Sequence, residues 1–221
     1  MKIGICAGNL SDLELPKDLP FIGADRGVEK LLSQGITPAF AIGDFDSLKD
    51  TAALKAIKEI EILPARKDVT DTHAALEWAI EKGYDEILIY GATGGRLDHF
   101  MAALILLELH KEVRISIIDA QNQIRLLSPG VHEIRPEGYK YFSLFALDKA
   151  RISISGAEYD LSDFTLLRNN PLATSNQVKE DSARVETDAD LLLIQSKDAP
   201  EKVSSNIQQN KTAQAIKSQF P

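Results

Sequence analysis

Carboxylate side chains that could bind a divalent cation occur in three short clusters in the first half of the chain. The clusters contain Asp44 and Asp46, Asp68 and Asp71, and Asp98. Each follows an apolar run typical of a buried strand. Parallel strands end at the same edge of a sheet, so we expect all three clusters to lie together at that edge. In open α/β sheets, ligands bind there, beyond the carboxyl ends of the strands. Carboxylates this close repel one another unless a cation neutralises them, and magnesium prefers carboxylate and phosphate oxygens.

The third cluster also carries groups suited to phosphate. It reads Gly94-Gly95-Arg96-Leu97-Asp98-His99. Glycines let the backbone approach an anion, and the following helix start offers free N–H groups. The guanidinium of Arg96 suits phosphate oxygens, and His99 is the one histidine that we place near this site. A cation beside a phosphate site indicates phosphoryl or pyrophosphoryl transfer. The GxxxxGK[ST] loop is absent from the sequence, so the protein is not a P-loop enzyme.

Each cluster alone also has a structural explanation. Asp44 could stabilise a turn, and Asp46 could cap a helix expected at 48–58. Asp68 and Asp71 suit the positive end of a helix dipole, and a glycine-rich turn alone is weak evidence for a ligand. The shared position of the clusters after parallel strands favours the metal and phosphate interpretation. The other histidines are expected to be surface or half-buried residues rather than ligands: His73, His110 and His132.

Strands and helices alternate around these clusters. Apolar runs predict strands at 2–7, 21–24, 39–42, 60–63, 86–90 and 113–119. Helical periods cover 25–34, 48–58, 70–82 and 97–109, which indicates βαβ units and a parallel sheet. The helix at 97–109 is apolar almost all round, so we expect it to be buried on several sides.

The pattern changes after about Ala120. Short β-like runs follow at 123–127, 139–147, 150–155, 183–187 and 191–196. We therefore expect an α/β domain with a mostly parallel sheet flanked by helices over 1–122, and an all-β domain over 123–197. Residues 198–221 form a polar tail with too few apolar side chains to build a core.

Composition excludes several classes of protein. The 221 residues carry a net charge of −8, so the overall basic footprint of a nucleic-acid-binding protein is missing. The single cysteine, Cys6, cannot form a disulfide within the chain and is expected to be a buried structural thiol. The longest uncharged apolar run, 100–107, is too short to span a membrane, and no signal peptide is recognisable. We expect a cytoplasmic protein that binds neither nucleic acid nor membrane.

In this order, the three clusters resemble those of thiamine pyrophosphokinases. The matching stretches are Ile42-Gly43-Asp44-Phe45-Asp46-Ser47, Lys67-Asp68-Val69-Thr70-Asp71 and Gly94 to His99. The second half continues the resemblance in Ser143-Leu144-Phe145, Gly156 to Leu161 with Tyr159, and Thr174-Ser175-Asn176. The resemblance covers residues 1–197 and leaves out the tail.

The resemblance implies a C-terminal β-sandwich and a homodimer that holds thiamine at its interface. It also implies Mg²⁺-dependent transfer of the terminal pyrophosphoryl group of ATP to the thiamine hydroxyl, with release of AMP. The catalytic and metal-binding residues would be Asp44, Asp46, Asp71 and Asp98. Those at the nucleotide would be Asp68, Thr70, Gly94, Gly95, Arg96 and His99. Ser175 and Asn176 would bind thiamine.

The chain also departs from the family pattern at several positions. The departures are Arg26 for a usual glycine, His73 for a common glutamate, Ala103 for asparagine and Gln177 for glutamate. Two alternatives therefore stay open. One is a magnesium-dependent kinase or phosphatase for another small alcohol, and the other is a non-catalytic sensor of nucleotide or thiamine.

Overall fold

The structure is a computed structural model that describes residues 1–10, 13–45, 57, 59–64 and 68–199. The helices are α1 Gly27–Ser33, α2 Asp71–Glu81 and α3 Leu97–Leu109. The first seven strands are β1 Lys2–Cys6, β2 Phe21–Ala24, β3 Phe40–Gly43, β4 Glu59–Ile62, β5 Glu86–Tyr90, β6 Arg114–Ile118 and β7 Asn122–Leu127. The others are β8 Gly130–Ile134, β9 Tyr141–Ala146, β10 Lys149–Ser155, β11 Leu161–Leu167, β12 Ala183–Thr187 and β13 Leu191–Ser196. Within these ranges, every helix is too short or too polar to cross a bilayer.

One nine-stranded sheet runs through both halves of the chain, in the order β4-β3-β2-β1-β5-β6-β7-β13-β9. Strands β1 to β6 pair in parallel. Strand β7 joins β6 in antiparallel fashion, and β13 and β9 extend this antiparallel part. The strand order reverses between β1 and β5, so this boundary is the topological switch point, where open α/β sheets bind ligands.

The second sheet makes the C-terminal half a sandwich. It is antiparallel, in the order β11-β10-β12-β8. Leu144 and Leu193 of the long sheet share a buried cluster with Ile152 and Val185 of the short one. The expected class, an α/β part with a mostly parallel sheet followed by an antiparallel sandwich, is confirmed. The long sheet continues without a break across the expected domain limit at 122, because β7 spans it.

Helices cover both faces of the parallel part. On one face, Leu76 of α2 and Leu107 of α3 pack on Ile5 and Ile89 of the two central strands. A second cluster contains Leu31 of α1, Phe21 and the fully buried Cys6. Burial raises the pKa of the Cys6 thiol to about 11, so the thiol stays neutral, as expected of a structural cysteine.

The expected burial of the helix at 97–109 is wrong for one face. Leu97, Met101, Ile105 and Leu109 are more than half exposed in the chain. They are spaced four residues apart, so they form one stripe on the side of α3 that faces away from the sheet. An overall apolar composition therefore did not mean burial on several sides, because the sheet covers only the opposite face.

Two strands were missed, and one helix begins later than expected. Strands β8 and β11 have mostly exposed side chains and lack a clear apolar alternation. Helix α1 begins at Gly27 rather than Asp25, because Asp25 has a left-handed backbone with φ 46°. The helix expected at 48–58 lies almost entirely outside the described residues.

Gly27 is where α1 meets the end of β1. A Cβ atom on Gly27 would lie 1.8 Å from the carbonyl oxygen of Cys6. Glycine to alanine in a helix normally stabilises by about 1 kcal/mol, but here we expect Gly27→Ala to lower the free energy of unfolding by about 2–3 kcal/mol. Urea unfolding measures this change. For Ser33→Ala, at the exposed end of the same helix, the free energy of unfolding should stay within about 0.5 kcal/mol of that of the parent. A Gly27→Ala protein more stable than the parent would contradict the close contact between this Cβ atom and the Cys6 carbonyl oxygen.

Candidate active site

A cavity of about 740 Å³ lies at the carboxyl edge of the sheet, across the switch point. Its walls come from the turns after β1 and β2, α1, the start of α2, the loop between β5 and α3, and the first half of α3. Asn9, Arg26, Thr70, Arg96 and His99 are among the lining residues. The volume falls in the range of sites for small molecules.

Hydrogen bonds join two of the turns that line the cavity. The backbone N–H of Asn9 donates to Gly91 O over 3.2 Å, and its side-chain amide donates to Thr93 O over 2.7 Å. Gly91 has φ 76°, and a Cβ there would lie 2.8 Å from the backbone nitrogen of Asn9. The Thr93 hydroxyl donates in turn to Asp119 after β6, over 2.7 Å. The ends of three strands are therefore held in a fixed arrangement.

The turns after β2 and β3 adopt costly backbone conformations. Asp25 has φ 46°, and its N–H donates to Ile42 O over 2.9 Å. The next strand ends at Gly43, where a Cβ would lie 3.1 Å from the Cα of Asp25. Asp44 follows, and then Phe45 with φ 54°. Non-glycine residues in the left-handed region cluster at functional sites, so these turns support a role for the edge where Asp25 and Asp44 lie.

The start of α2 is capped by Thr70, whose hydroxyl accepts a hydrogen bond from the His73 N–H over 3.2 Å. Neither Asp68 nor Asp71 is therefore the N-cap. Asp71 lies in the first turn, where the helix dipole favours a negative charge. Thr70 and Thr72 line the cavity.

Arg96 and Asp98 form an exposed ion pair at the start of α3. Nε of Arg96 donates to Oδ1 of Asp98 over 3.1 Å, and Nη2 donates to Oδ2. This pairing, assisted by the His99 N–H, lowers the pKa of Asp98 to about 2. Asp98 is therefore ionised at neutral pH and able to bind a cation. Arg96, at the cavity wall, already donates to an anion, the carboxylate of Asp98.

The structure brings some of the expected site residues to the cavity and leaves others beside it. Thr70, Gly95, Arg96 and His99 line the cavity. Those not among its lining are Asp44, Asp68, Asp71, Gly94 and Asp98, although their segments follow β3, β4 and β5 at the same edge. Asp46 lies outside the described residues.

Ser175 and Asn176 lie in the sandwich, in the segment next to β9. Five steps of about 4.8 Å separate β9 from β1 along the sheet, or about 24 Å. The side chain of Asn176 is buried. It donates to Tyr159 O over 2.8 Å and accepts from the N–H groups of Tyr159 and Gln177. Ser175 is exposed, with φ 56°. Within one chain, these residues are remote from the cavity.

Sequence reasoning missed several lining residues. Asn9 and Thr93 follow β1 and β5. Arg26 is the N-cap residue of α1, and Lys30 lies one helical turn after it. Gly-Asn and Gly-x-Thr directly after two strands were the available signals. Their importance depends on the strand order, because only the pairing of β1 with β5 makes them neighbours.

Comparisons with known proteins agree over most of the chain. The family model described as thiamin pyrophosphokinase, catalytic domain, matches residues 15–118, and the model of the vitamin B1 binding domain of the same enzyme matches 131–192. A thiamine pyrophosphokinase from Bacillus subtilis (strain 168) is 37% identical over 166 residues, which cover 72% of this chain and 78% of the relative.

Solved structures give the same result. A crystal structure of thiamine pyrophosphokinase from Bacillus subtilis superposes with a TM-score of 0.81 at 31% identity, over 90% of this chain and 100% of that chain. The corresponding protein from Geobacillus thermodenitrificans gives 0.80 at 32% identity, over 90% and 99%.

From the ion pair at the start of α3, we predict how the pKa of Asp98 changes when Arg96 is replaced in the metal-free protein. Replacing Arg96 with glutamine should raise the pKa of Asp98 from about 2 toward its ordinary value of 3.8, because the main cause of the shift is removed. Titration of the Asp98 carboxyl carbon by NMR measures this pKa. In the parent, the pair should persist until the pH falls through about 2. Arg114→Gln, at the amino-terminal end of β6, should leave the pKa of Asp98 unchanged. An unchanged pKa in Arg96→Gln would contradict the pairing.

Proposed function

The chain belongs to the thiamine pyrophosphokinase family, and we propose that it uses Mg²⁺ to transfer the pyrophosphoryl group of ATP to the hydroxyl of thiamine, giving thiamine diphosphate and AMP. It is an ATP:thiamine diphosphotransferase by its family, with thiamine and ATP as substrates. The observation that carries the proposed chemistry is the cavity at the switch point, with an arginine and a glycine-rich loop in its wall and carboxylates along the same edge.

The carboxylates at this edge fit a magnesium ion by their chemistry, since hard oxygen ligands are what Mg²⁺ prefers. In this proposal the metal is held by Asp44, Asp46, Asp71 and Asp98, with Asp68 nearby. Bound Mg²⁺ would neutralise charge along the triphosphate and polarise its oxygens. One of the aspartates would accept the proton of the thiamine hydroxyl.

The triphosphate would bind to groups in the cavity wall. The backbone amides of the 91–95 loop and the start of α3 provide N–H donors, and Arg96 provides a fork suited to phosphate. Thr70 and His99, which also line the cavity, would contact the nucleotide. Arg26 at the N-cap of α1 and Lys30 within α1 add two cations. Positive groups spread over several segments suit the whole triphosphate rather than its tip, as attack on the β-phosphorus requires.

Thiamine would be held between two chains of a homodimer. Distance within one chain supports this arrangement: Ser175 and Asn176 lie about 24 Å along the sheet from β1, and the continuous hydrogen-bonded sheet between them is stiff. If these residues contact thiamine at the cavity, they must come from the partner subunit. Because the Asn176 amide is already bonded to the backbone, it would position the exposed turn at Ser175 rather than provide most of the contacts itself.

The products of turnover test the proposed reaction. With ATP, Mg²⁺ and thiamine, the full chain should make AMP and thiamine diphosphate in equal amounts, measured by chromatographic separation of nucleotides and thiamine esters. ADP with thiamine monophosphate would indicate an ordinary kinase, and phosphate released without thiamine would indicate a phosphatase or ATPase. Binding of thiamine or nucleotide without turnover would favour a sensor.

Complementation between two inactive chains tests the shared site. Asp98→Asn should lower kcat by at least about 100-fold by removing a metal ligand, and Ser175→Phe should block thiamine from an exposed turn without disturbing the core. Co-expressed with different tags and purified as a mixed dimer, the two chains should regain about half of the parent activity, because one complete site forms.

The control is Asp163→Asn, which breaks an equally exposed arginine–aspartate pair, with Arg151, in the sandwich. It should keep the parent activity alone and in mixed dimers. Full activity of Asp98→Asn, or a mixed dimer as inactive as its parents, would contradict this arrangement.

A further inference from the structure

Two histidines and a glutamate from two helices meet outside the residues that line the cavity. His73 and Glu77 are four residues apart on α2 and share a helix face. His110 is the residue directly after α3. Nε2 of His73 and Nε2 of His110 each lie 3.2 Å from Oε1 of Glu77. One ligand atom from each of the three residues lies within 4.8 Å of the others.

The Nε2 nitrogen of His110 is buried and lacks a hydrogen-bond partner among the described residues. His110 is only 9% exposed, and its Nε2 makes no hydrogen bond within the part of the chain that the structure describes. Its distance to Glu77 is within hydrogen-bond range, so the direction of approach is what fails. Burying a polar atom without a partner is unfavourable, and such an atom in a folded protein needs an explanation. An ion bound to this nitrogen would supply one.

The geometry and the atom types suit zinc. Two ligand atoms at about 2.0–2.1 Å from a tetrahedral ion lie about 3.3 Å apart, which matches both nitrogen–oxygen distances. Two imidazoles with one carboxylate are a known zinc ligand set and leave a fourth position for water. Magnesium, which prefers oxygen, is disfavoured here. Glu112 lies 3.9 Å from Nδ1 of His110, on the side of the ring where metal-binding histidines usually have a carboxylate.

We propose that His73, Glu77 and His110 form a zinc-binding site that links α2 to α3. The side chain of Glu77 is 46% exposed, so an ion can reach the site from solvent. The site would act on the neighbouring cavity by restraint. His73 follows Thr72, and α3 contributes His99 and Ala103, so the two linked helices form part of the cavity wall. Bound zinc would therefore stabilise the fold and hold this wall in one position.

Cobalt, a spectroscopic substitute for zinc, tests the site in the full chain. Excess Mg²⁺ is kept present so that the aspartate cluster does not take up the probe. We expect one Co²⁺ per chain, with the visible absorption of a four-coordinate ion, and displacement by one equivalent of Zn²⁺. His73→Gln, Glu77→Gln and His110→Gln should each abolish this absorption. Loss of an outer partner alone weakens metal binding about 10–100-fold, so loss of a ligand should weaken zinc binding at least about 100-fold.

His132→Gln is the matched control, because His132 contacts the carbonyl of Ser128 in the sandwich. It should bind cobalt and zinc like the parent. Zinc should raise the melting temperature of the parent and of this control but not of the three variants. If His110→Gln fails to fold, His73→Gln and Glu77→Gln, at less buried positions, still decide the outcome. Zinc binding unchanged in these variants, or absent from the parent, would overturn the proposal.

Discussion

The pairing of β1 with β5 is the constraint on which the rest of the site depends. The chain begins in the middle of its sheet, builds outward to β4, and returns to place β5 on the other side of β1. Backbone hydrogen bonds continue past the ends of the two strands, from Ala7 to Tyr90 and from Asn9 to Gly91. After β1 the chain turns toward β2, and after β5 it turns toward β6, in opposite directions along the sheet. A gap therefore opens between the two connections at this boundary. The cavity is the consequence.

Charged side chains of both signs surround this cavity. Arg26, Lys30 and Arg96 line the cavity together with Asp25 and Glu29. The described aspartates of the three clusters are not among the lining, although their segments follow strands that end at the same edge. Arg96 and Asp98 currently neutralise each other. In the proposed reaction, a magnesium–phosphate ligand would offer each of them a new partner, the metal for Asp98 and the anion for Arg96. The ion pair thus keeps two oppositely charged groups in place at little electrostatic cost before the ligand arrives.

The long sheet joins the two halves of the chain more firmly than a linker would. Because β7, β13 and β9 extend the parallel strands, the sandwich is held at a set distance from the cavity. In the proposed dimer, this stiffness is useful, since each sandwich could be presented to the other chain in a fixed orientation. The proposed zinc site acts at shorter range, between two helices that cover the same face of the sheet.

The sequence by itself determined the alternation of strands and helices, the acidic clusters at strand ends, and the family. These features are local: apolar runs, helical periods and short motifs act over a few residues. Ser175 and Asn176 were also proposed from a short motif, and their distance from the cavity could not be read from it. Strands β8 and β11 were not predicted because their side chains are mostly exposed, so their sequences lack the alternation of apolar and polar residues that indicates a strand.

Only the tertiary structure decided which distant residues meet. Asn9 approaches Thr93 because strand order, set by packing of the whole sheet, makes β1 and β5 neighbours. The outer stripe of α3 is exposed because the sheet covers just one side of that helix. His110 reaches Glu77 because α2 and α3 pack on the same face. Such contacts depend on how buried surfaces are shared among many elements, and no short stretch of sequence contains that information.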